Sequence, residues 1–215
     1  NIRNYQIQNF TYLLFYNKCK EKKLIPSMTV HQNHFIQNIE FLRKLRDERL
    51  IYGLGVSVTN VTPDLIQYLK EFPNAVVHVI AGIVNENIFD ELMGRGLKIL
   101  ILGYKQLRRG KTVYEKHSKE IEENIKSLYL RLPEMIKYKW FDTISFDNLA
   151  IKQLDPSRLM SEEDYNKFYM GDDAQYTYFI DLVDQEFAAS STSPIRYPLL
   201  DNAIEMFNIV RKERS

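Results

Sequence analysis

The chain reads as an α/β protein of the partial (β/α) TIM-like barrel type, with mainly parallel strands and a less regular C-terminal part. Three observations predict this class. Short apolar runs alternate with stretches of helical periodicity from Ser27 to Phe146. The runs are nearly continuous in apolar residues, as expected of strands covered on both faces by crossover helices. Five such strands are separated by helices. That rhythm favours a curved sheet or barrel section over a flat doubly wound sheet, while the short connections, such as Gly82 to Glu86, fit both and spacing leaves strand order open.

The first element is a helix from Tyr5 to about Lys23, stopping before Pro26. Ile7, Phe10 or Thr11, Leu14 and Phe15 fall on one face, and Lys18, Lys20, Lys22 and Lys23 crowd its negative pole. Ser27 to His31 follows as a short strand. Asn33 is positioned to cap a second helix that aligns Phe35, Ile39, Leu42 and Leu45. Gly53 to Val58 is the next strand. Thr62-Pro63-Asp64 then supplies a hydroxyl cap, a first-turn proline and an acid at the positive pole of a third helix. The unit repeats with a strand from Ala75 to Ala81, a short helix from Asn85 to Met93 ended by Gly94 or Gly96, and a strand from Leu97 to Leu102. A helix from Tyr114 to Leu132, closed by Pro133, leads to a strand from Phe141 to Phe146.

Beyond Leu154 the alternation weakens. Asp155-Pro156-Ser157 opens a short helix and Tyr169 to Asp173 is a turn. Gln175 to Val183 alternates like an antiparallel or edge strand, and Leu199 to Arg211 is a helix with Leu200, Ala203, Ile204, Phe207 and Val210 on one face. No linker is evident. The expectation is one domain over residues 1–215, with residues 1–154 as the partial barrel and 155–215 as an extension packed on it.

Composition bounds the function. At 215 residues, 45% hydrophobic and 27% charged, the chain can bury a sizeable core and is not of disordered composition. The longest apolar runs, such as Leu97 to Leu102, fall far short of the ~20 residues that span a bilayer, so a soluble protein without a membrane partner is expected. A net charge of +1 argues against a nucleic-acid-coated surface. The single cysteine, Cys19, precludes an intramolecular disulfide or a multi-cysteine metal site built from this chain, and fits a reducing, cytoplasmic setting. The first residue is Asn1 rather than Met, so a processed chain or part of a longer one is expected.

In barrels and open α/β sheets alike, ligands gather at the carboxyl ends of the strands. That rule selects His31, Gln32, Asn33 and His34; then Ser57, Thr59 and Asn60; Gly82 and Asn85; Gly103, Tyr104 and Lys105; and Asp147 and Asn148. Polar strand ends and helix caps would look alike. The densest feature is Gly103 to Lys111, where Lys105, Arg108, Arg109 and Lys111 follow a glycine; such a loop can receive a carboxylate or phosphate or be a solvated basic turn. It lacks the glycine spacing of a P-loop, and Gly53-Leu54-Gly55 lacks the third glycine of a dinucleotide fingerprint. His78, mid-strand beside Val76 and Ile80, reads first as a core histidine satisfied by a neighbour. His31 and His34 lack partners for a zinc site. Asp172, Asp173, Asp181 and Asp184 match no calcium loop, and Ser190 to Pro194 reads as a capping loop.

In the order of its segments the chain resembles the later part of the partial barrel of radical S-adenosylmethionine enzymes. The segments that carry the likeness are Ser27 to Phe35, Tyr52 to Ser57, His78 to Ile83 and Leu97 to Lys105, within Tyr5 to Leu154. The family's adenine-supporting G-x-I-x-G-x-x-E is matched in part by Ile101 and Gly103, with Ile99 and Gln106 replacing its first glycine and its glutamate, and equally by Ile80 and Gly82 one strand earlier, with His78 and Asn85 in those places; strand counting assigns adenine support to the Gly103 segment. The cluster motif C-x-x-x-C-x-x-C is absent, and Cys19 cannot substitute for it. The resemblance therefore implies a cofactor- and substrate-supporting portion. Its S-adenosylmethionine and [4Fe-4S] cluster are expected only in a longer protein, with the cluster held by residues upstream of this chain. On that basis Ser57, Asn60, Gly103, Tyr104 and Lys105 would line the cofactor side, and Arg109, Asp147 and Asn148 would be available to substrate, with catalytic residues unassigned. Two other classes fit the residues. One is a barrel-derived scaffold without catalysis. The other is a metal-independent barrel enzyme holding a phosphorylated substrate at Lys105, Arg108 and Arg109.

Overall fold

A computed structural model of the chain describes residues 5–212, with side chains from residue 12 onward. They divide into two compact units. Unit 1 comprises the described residues up to Tyr104 together with His117–Leu154, and unit 2 comprises Lys105–Lys116 together with the described residues from Asp155.

Unit 1 is a five-stranded parallel sheet. Its strands are β1 (Ser27–His31), β2 (Gly53–Ser57), β3 (Ala75–Ile80), β4 (Lys98–Leu102) and β5 (Thr143–Phe146), hydrogen-bonded in the order β1-β2-β3-β4-β5. That order never reverses. A doubly wound sheet needs a reversal to place helices on both faces, so the architecture is α/β with the winding of a partial TIM-like barrel.

The crossover helices are α2 (Gln32–Gln37) with α3 (Ile39–Asp47), α4 (Pro63–Leu69), α5 (Glu86–Leu92) and α6 (Arg109–Lys137); α1 (Tyr5–Glu21) precedes β1 and α7 (Asn148–Leu154) follows β5. The core lies on one side of the sheet. Leu54, Val56, Val77, Val79, Ile99 and Ile101 are buried there together with Phe35, Leu42, Leu65, Leu92, Leu128 and Leu132 of the helices. Phe35 packs edge-on against Tyr68 and Phe72. Over this layer Arg43 forms a fork with Glu71, Nε to Oε2 at 2.8 Å and Nη2 to Oε1 at 2.7 Å, which holds the Glu71 carboxyl below its ordinary pKa.

Several local expectations are revised. The helix expected from Asn33 is two helices broken at Asn38, and its cap is His31, whose Nδ1 accepts from the Asn33 N–H at 3.3 Å. On α1 the buried residues are Tyr16 and Cys19, whereas Leu14 and Phe15 are exposed; the expected face at Ile7, Phe10 and Thr11 lies outside the described side chains. Pro133 does not close α6. The helix continues to Lys137 because its apolar stripe, Ile121, Leu128, Leu132 and Met135, keeps burying surface past the one backbone bond that proline removes. A break at His117 (φ −134°, ψ 24°) falls where the two units divide.

Unit 2 is less regular, as the fading alternation indicated. It holds a 3₁₀ turn (Pro156–Leu159), α8 (Glu162–Phe168), α9 (Ala203–Lys212) and a small antiparallel sheet, β6 (Phe179–Asp181), β7 (Glu186–Ala188) and β8 (Tyr197–Pro198). The strand expected over Gln175 to Val183 shrinks to three residues. Ala174, Phe187, Met206 and Val210 form its core, and Ile204, expected to face inward, is exposed. No helix of the described residues is long and apolar enough to cross a membrane.

One glycine joins sheet to helix in unit 1. A Cβ on Gly103 would lie 2.5 Å from Leu149 Cγ and 2.6 Å from Ala150 N. Gly103→Ala must therefore push α7 off the end of β4. A loss of about 1–3 kcal/mol is expected, measured as a lower denaturation midpoint in urea.

Candidate functional site

Strand register and burial together expose a face that the sequence reading treated as covered. In β1, Ser27, Thr29 and His31 are exposed, while Met28 and Val30 between them are half-buried. The register pairs His31 with Ser57, Ser57 with His78, His78 with Leu100, and Leu100 with Ser145. Aligned residues of parallel neighbours share a face. These five therefore form one row across the side of the sheet opposite the helices, and none of them is buried. The near-continuous apolar runs arise because the half-open face still carries Val76, Ile80, Leu100 and Leu102 among its polar residues, not because helices cover both sides.

His78 is central in this row, and Gly55 makes room for it. A Cβ at Gly55 would stand 2.4 Å from His78 Cε1, 2.7 Å from Nε2 and 2.8 Å from Thr29 Oγ1, so the missing side chain creates a notch over β2 into which the imidazole leans. Partial burial lowers the His78 pKa below its ordinary value and keeps the ring neutral at pH 7. A neutral ring offers one N–H and one acceptor nitrogen. His78 is therefore not a satisfied core residue: it is half-buried, and no hydrogen bond to its ring is seen among the described residues. The alternation of Ser27, Thr29 and His31 beside Gly53, Gly55 and Ser57 was the available signal, since small or polar groups at every second position mark a face without an apolar cover.

At the carboxyl ends, the residues expected to line a site hold the loops in place. Gln32 is fully buried; its Oε1 accepts from the N–H groups of Thr59 at 2.7 Å and Asn60 at 3.1 Å, and its Nε2 donates to Asn60 Oδ1. Asn60 is thereby anchored beside Ser57. Asp147 Oδ1 accepts from Gly103 N at 2.9 Å and Ala150 N at 2.7 Å, tying the end of β4 to the start of α7. Gln153 brackets the Tyr104 backbone, accepting its N–H at 2.9 Å and donating to its carbonyl at 3.1 Å. The Tyr104 ring is buried, which raises its phenol pKa. Asn148 opens α7 next to Asp147. Ser57, Asn60, Gly103, Tyr104, Asp147 and Asn148 thus all lie at one end of unit 1, where Ser57 alone belongs to the open row.

Lys105 and Arg109 belong to unit 2. Lys105 Nζ donates to Ser191 Oγ at 2.9 Å. Arg108 is drawn to Asp184 at 2.7 Å and Asp181 at 3.3 Å, so the basic loop is not uniformly cationic. Asp181 itself is stitched to the backbone N–H groups of Asp184 and Val183, which, with Arg108, hold its carboxyl below the ordinary range. Its acidic neighbours therefore serve a turn.

A cavity of about 390 Å³ runs beside β1, lined among others by Tyr12, Tyr16, Thr29, His31, His34 and Phe41. A larger one, about 600 Å³, opens at the opposite end between Pro26, Tyr52, Phe72 and Asn74. In parallel α/β folds that amino-terminal end serves stability rather than chemistry. Among the described residues, no group of three or more His, Cys, Asp or Glu side chains is placed to hold a metal ion.

Two outcomes are expected. Gln32→Leu strips two backbone donors of their buried acceptor and lowers stability by about 2–4 kcal/mol, whereas Gln32→Glu, which keeps an acceptor oxygen, loses less; chemical denaturation compares them. Because the folded-state pKa of His78 is depressed, its neutral form costs nothing above the unfolded value of about 6.5. As pH falls from there through the folded value, the unfolded chain takes up the proton first and stability is lost. Thermal scans from pH 7.5 to 5 check this, and His78→Gln removes that part of the decline.

A scan against protein-family models, a search of curated proteins and a search of solved structures each find no match to this chain. What the fold establishes is an α/β scaffold with the winding of a partial barrel, able to present a cofactor or substrate site on its open face.

Proposed function

We propose that this chain is the cofactor- and substrate-supporting part of a radical S-adenosylmethionine enzyme. The observation that carries the reading is the open row of His31, Ser57, His78 and Ser145 on the helix-free face of a singly wound parallel sheet. A barrel section that presents hydroxyl and imidazole donors and acceptors on its inner side suits the hydroxyls and ring nitrogens of an adenosyl group, with His78 seated in the notch at Gly55. Ser57, Asn60, Gly103 and Tyr104 stand on the cofactor side in this reading. Asp147 and Asn148 are the unit 1 residues assigned to substrate.

The iron–sulfur cluster does not fit these residues. Cys19 is the single thiol and is buried on α1, whereas a [4Fe-4S] cluster of this kind is held by several thiolates. The reading therefore assigns the cluster to residues outside this chain, and no reaction step is derived through it. S-adenosylmethionine, once bound, supplies the adenosyl group; the contributions of this chain are to orient it through Ser57 and His78 and to hold the rim rigid through Gln32 and Asp147. The alternative in which Lys105, Arg108 and Arg109 jointly grip a phosphorylated substrate is disfavoured by the pairing of Arg108 with Asp181 and Asp184.

Titration of the ¹⁵N-labelled chain with S-adenosylmethionine tests the reading. Amide shifts at Ser57, His78 and Gly103 are expected, with about tenfold weaker binding in Gly55→Val, whose side chain displaces the His78 ring from its notch. Absence of shifts at millimolar ligand, or shifts confined to unit 2, would overturn it.

A further inference from the structure

We infer that unit 2 carries a separate oxyanion site, built on Ser191 by Lys105 and Arg196, that takes a carboxylate or phosphate group. It stands on unit 2 alone and holds whether or not unit 1 binds S-adenosylmethionine.

Two cations from distant parts of the sequence bond the same small residue. Lys105 Nζ donates to Ser191 Oγ at 2.9 Å, and Arg196 Nη2 donates to the Ser191 carbonyl at 2.9 Å. The first contact spans 86 residues of chain. A lone lysine at a solvated surface gains little from such a bond, since ordering its long stem costs rotamer freedom. Among the described residues Lys105 has no carboxylate partner, unlike Arg108, which has two. Its remaining ammonium hydrogens and the Ser191 hydroxyl hydrogen stay available.

Arg196 is held where a receptor arginine needs to be. Its guanidinium lies over the Phe179 ring at 5.3 Å, and Nε faces Glu186 Oε1 at 3.6 Å. Nη1, by contrast, is enclosed and has no hydrogen-bond partner. An enclosed donor on a permanent cation without an acceptor is costly, and a native structure keeps one where a ligand or ordered water completes it. The planar fork is thus fixed on two of its nitrogens and incomplete on the third. An oxyanion at Ser191 offers acceptors for Nη1 and for the spare hydrogens of Lys105, in the charge-assisted geometry that carboxylates and phosphates favour.

The flanking loop is suited to this use. The Ser190 hydroxyl pairs with Thr192 at 3.1 Å and Ser193 Oγ accepts from Ile195 N at 3.2 Å, so the neighbouring hydroxyls shape the turn and leave Ser191 as the one directed at the cations. Arg108, spent on Asp181 and Asp184, anchors the segment that presents Lys105.

The test is thermal unfolding of the full chain with sodium phosphate or sodium acetate, against sodium chloride at matched ionic strength. At about ten times its Kd a ligand raises Tm by about 3–5 °C in a chain of this size. The rise should be lost in Lys105→Gln and in Ser191→Ala and kept in Lys111→Gln, which removes a nearby charge. A response to phosphate alone assigns a phosphoryl group, and a response to acetate alone a carboxylate. Arg196→Lys, which keeps the charge but not the fork, should weaken the response at least fivefold. No rise with either anion, or an equal rise in folded Lys105→Gln, overturns the site.

Discussion

Five parallel strands that hydrogen-bond in chain order can be covered by their own crossovers on one face only. Each crossover turns with the same hand, and because the winding never reverses, every helix lands on the same side. The rest of unit 1 depends on that constraint. It concentrates Leu54, Val56, Val77, Val79, Ile99 and Ile101 into a single helix-backed layer, and it leaves the opposite face to His31, Ser57, His78 and Ser145. Core and candidate site are two sides of one sheet, separated by the thickness of a strand.

The polar groups at the strand ends then divide by role. Gln32, Asp147 and Gln153 spend acceptors on backbone N–H groups of neighbouring loops, a use that fixes position. Ser57 and His78 carry no such duty, and Gly55 gives the imidazole its place. A rim made rigid by hydrogen-bonded amide and carboxylate side chains, beside a hydroxyl and an imidazole that are half-exposed, is the arrangement that orients a ligand with little reorganisation. In unit 2 the charges divide likewise: Arg108 is paired with two aspartates and Arg196 with Glu186, while Lys105 and Arg196 meet at one serine.

The sequence by itself determined the elements of unit 1. Apolar β-branched runs, Thr62-Pro63 at a helix start and glycines after Leu92 are local signals, and β1 to β5 appear where those signals place them. It also determined that no cysteine set for a cluster lies in this chain, because one thiol cannot do the work of several. Local signals failed where long-range packing competes with them. Pro133 should end a helix, but the stripe through Leu132 and Met135 carries α6 past it; Ile204 fits the periodic face of α9, but Met206 and Val210 are the residues that meet Phe187.

Only the tertiary structure decided which face of the sheet is bare and which polar side chains remain for a ligand. Strand order is a choice among hydrogen-bonding partners that no single strand encodes, so apolar runs alone could not show that helices cover one side. Nor could spacing show that Lys105 and Ser191 meet, or that Arg108 is already paired, because those contacts join residues more than seventy positions apart. Residue type sets what a side chain can do; the folded neighbourhood sets whether its donors are already occupied.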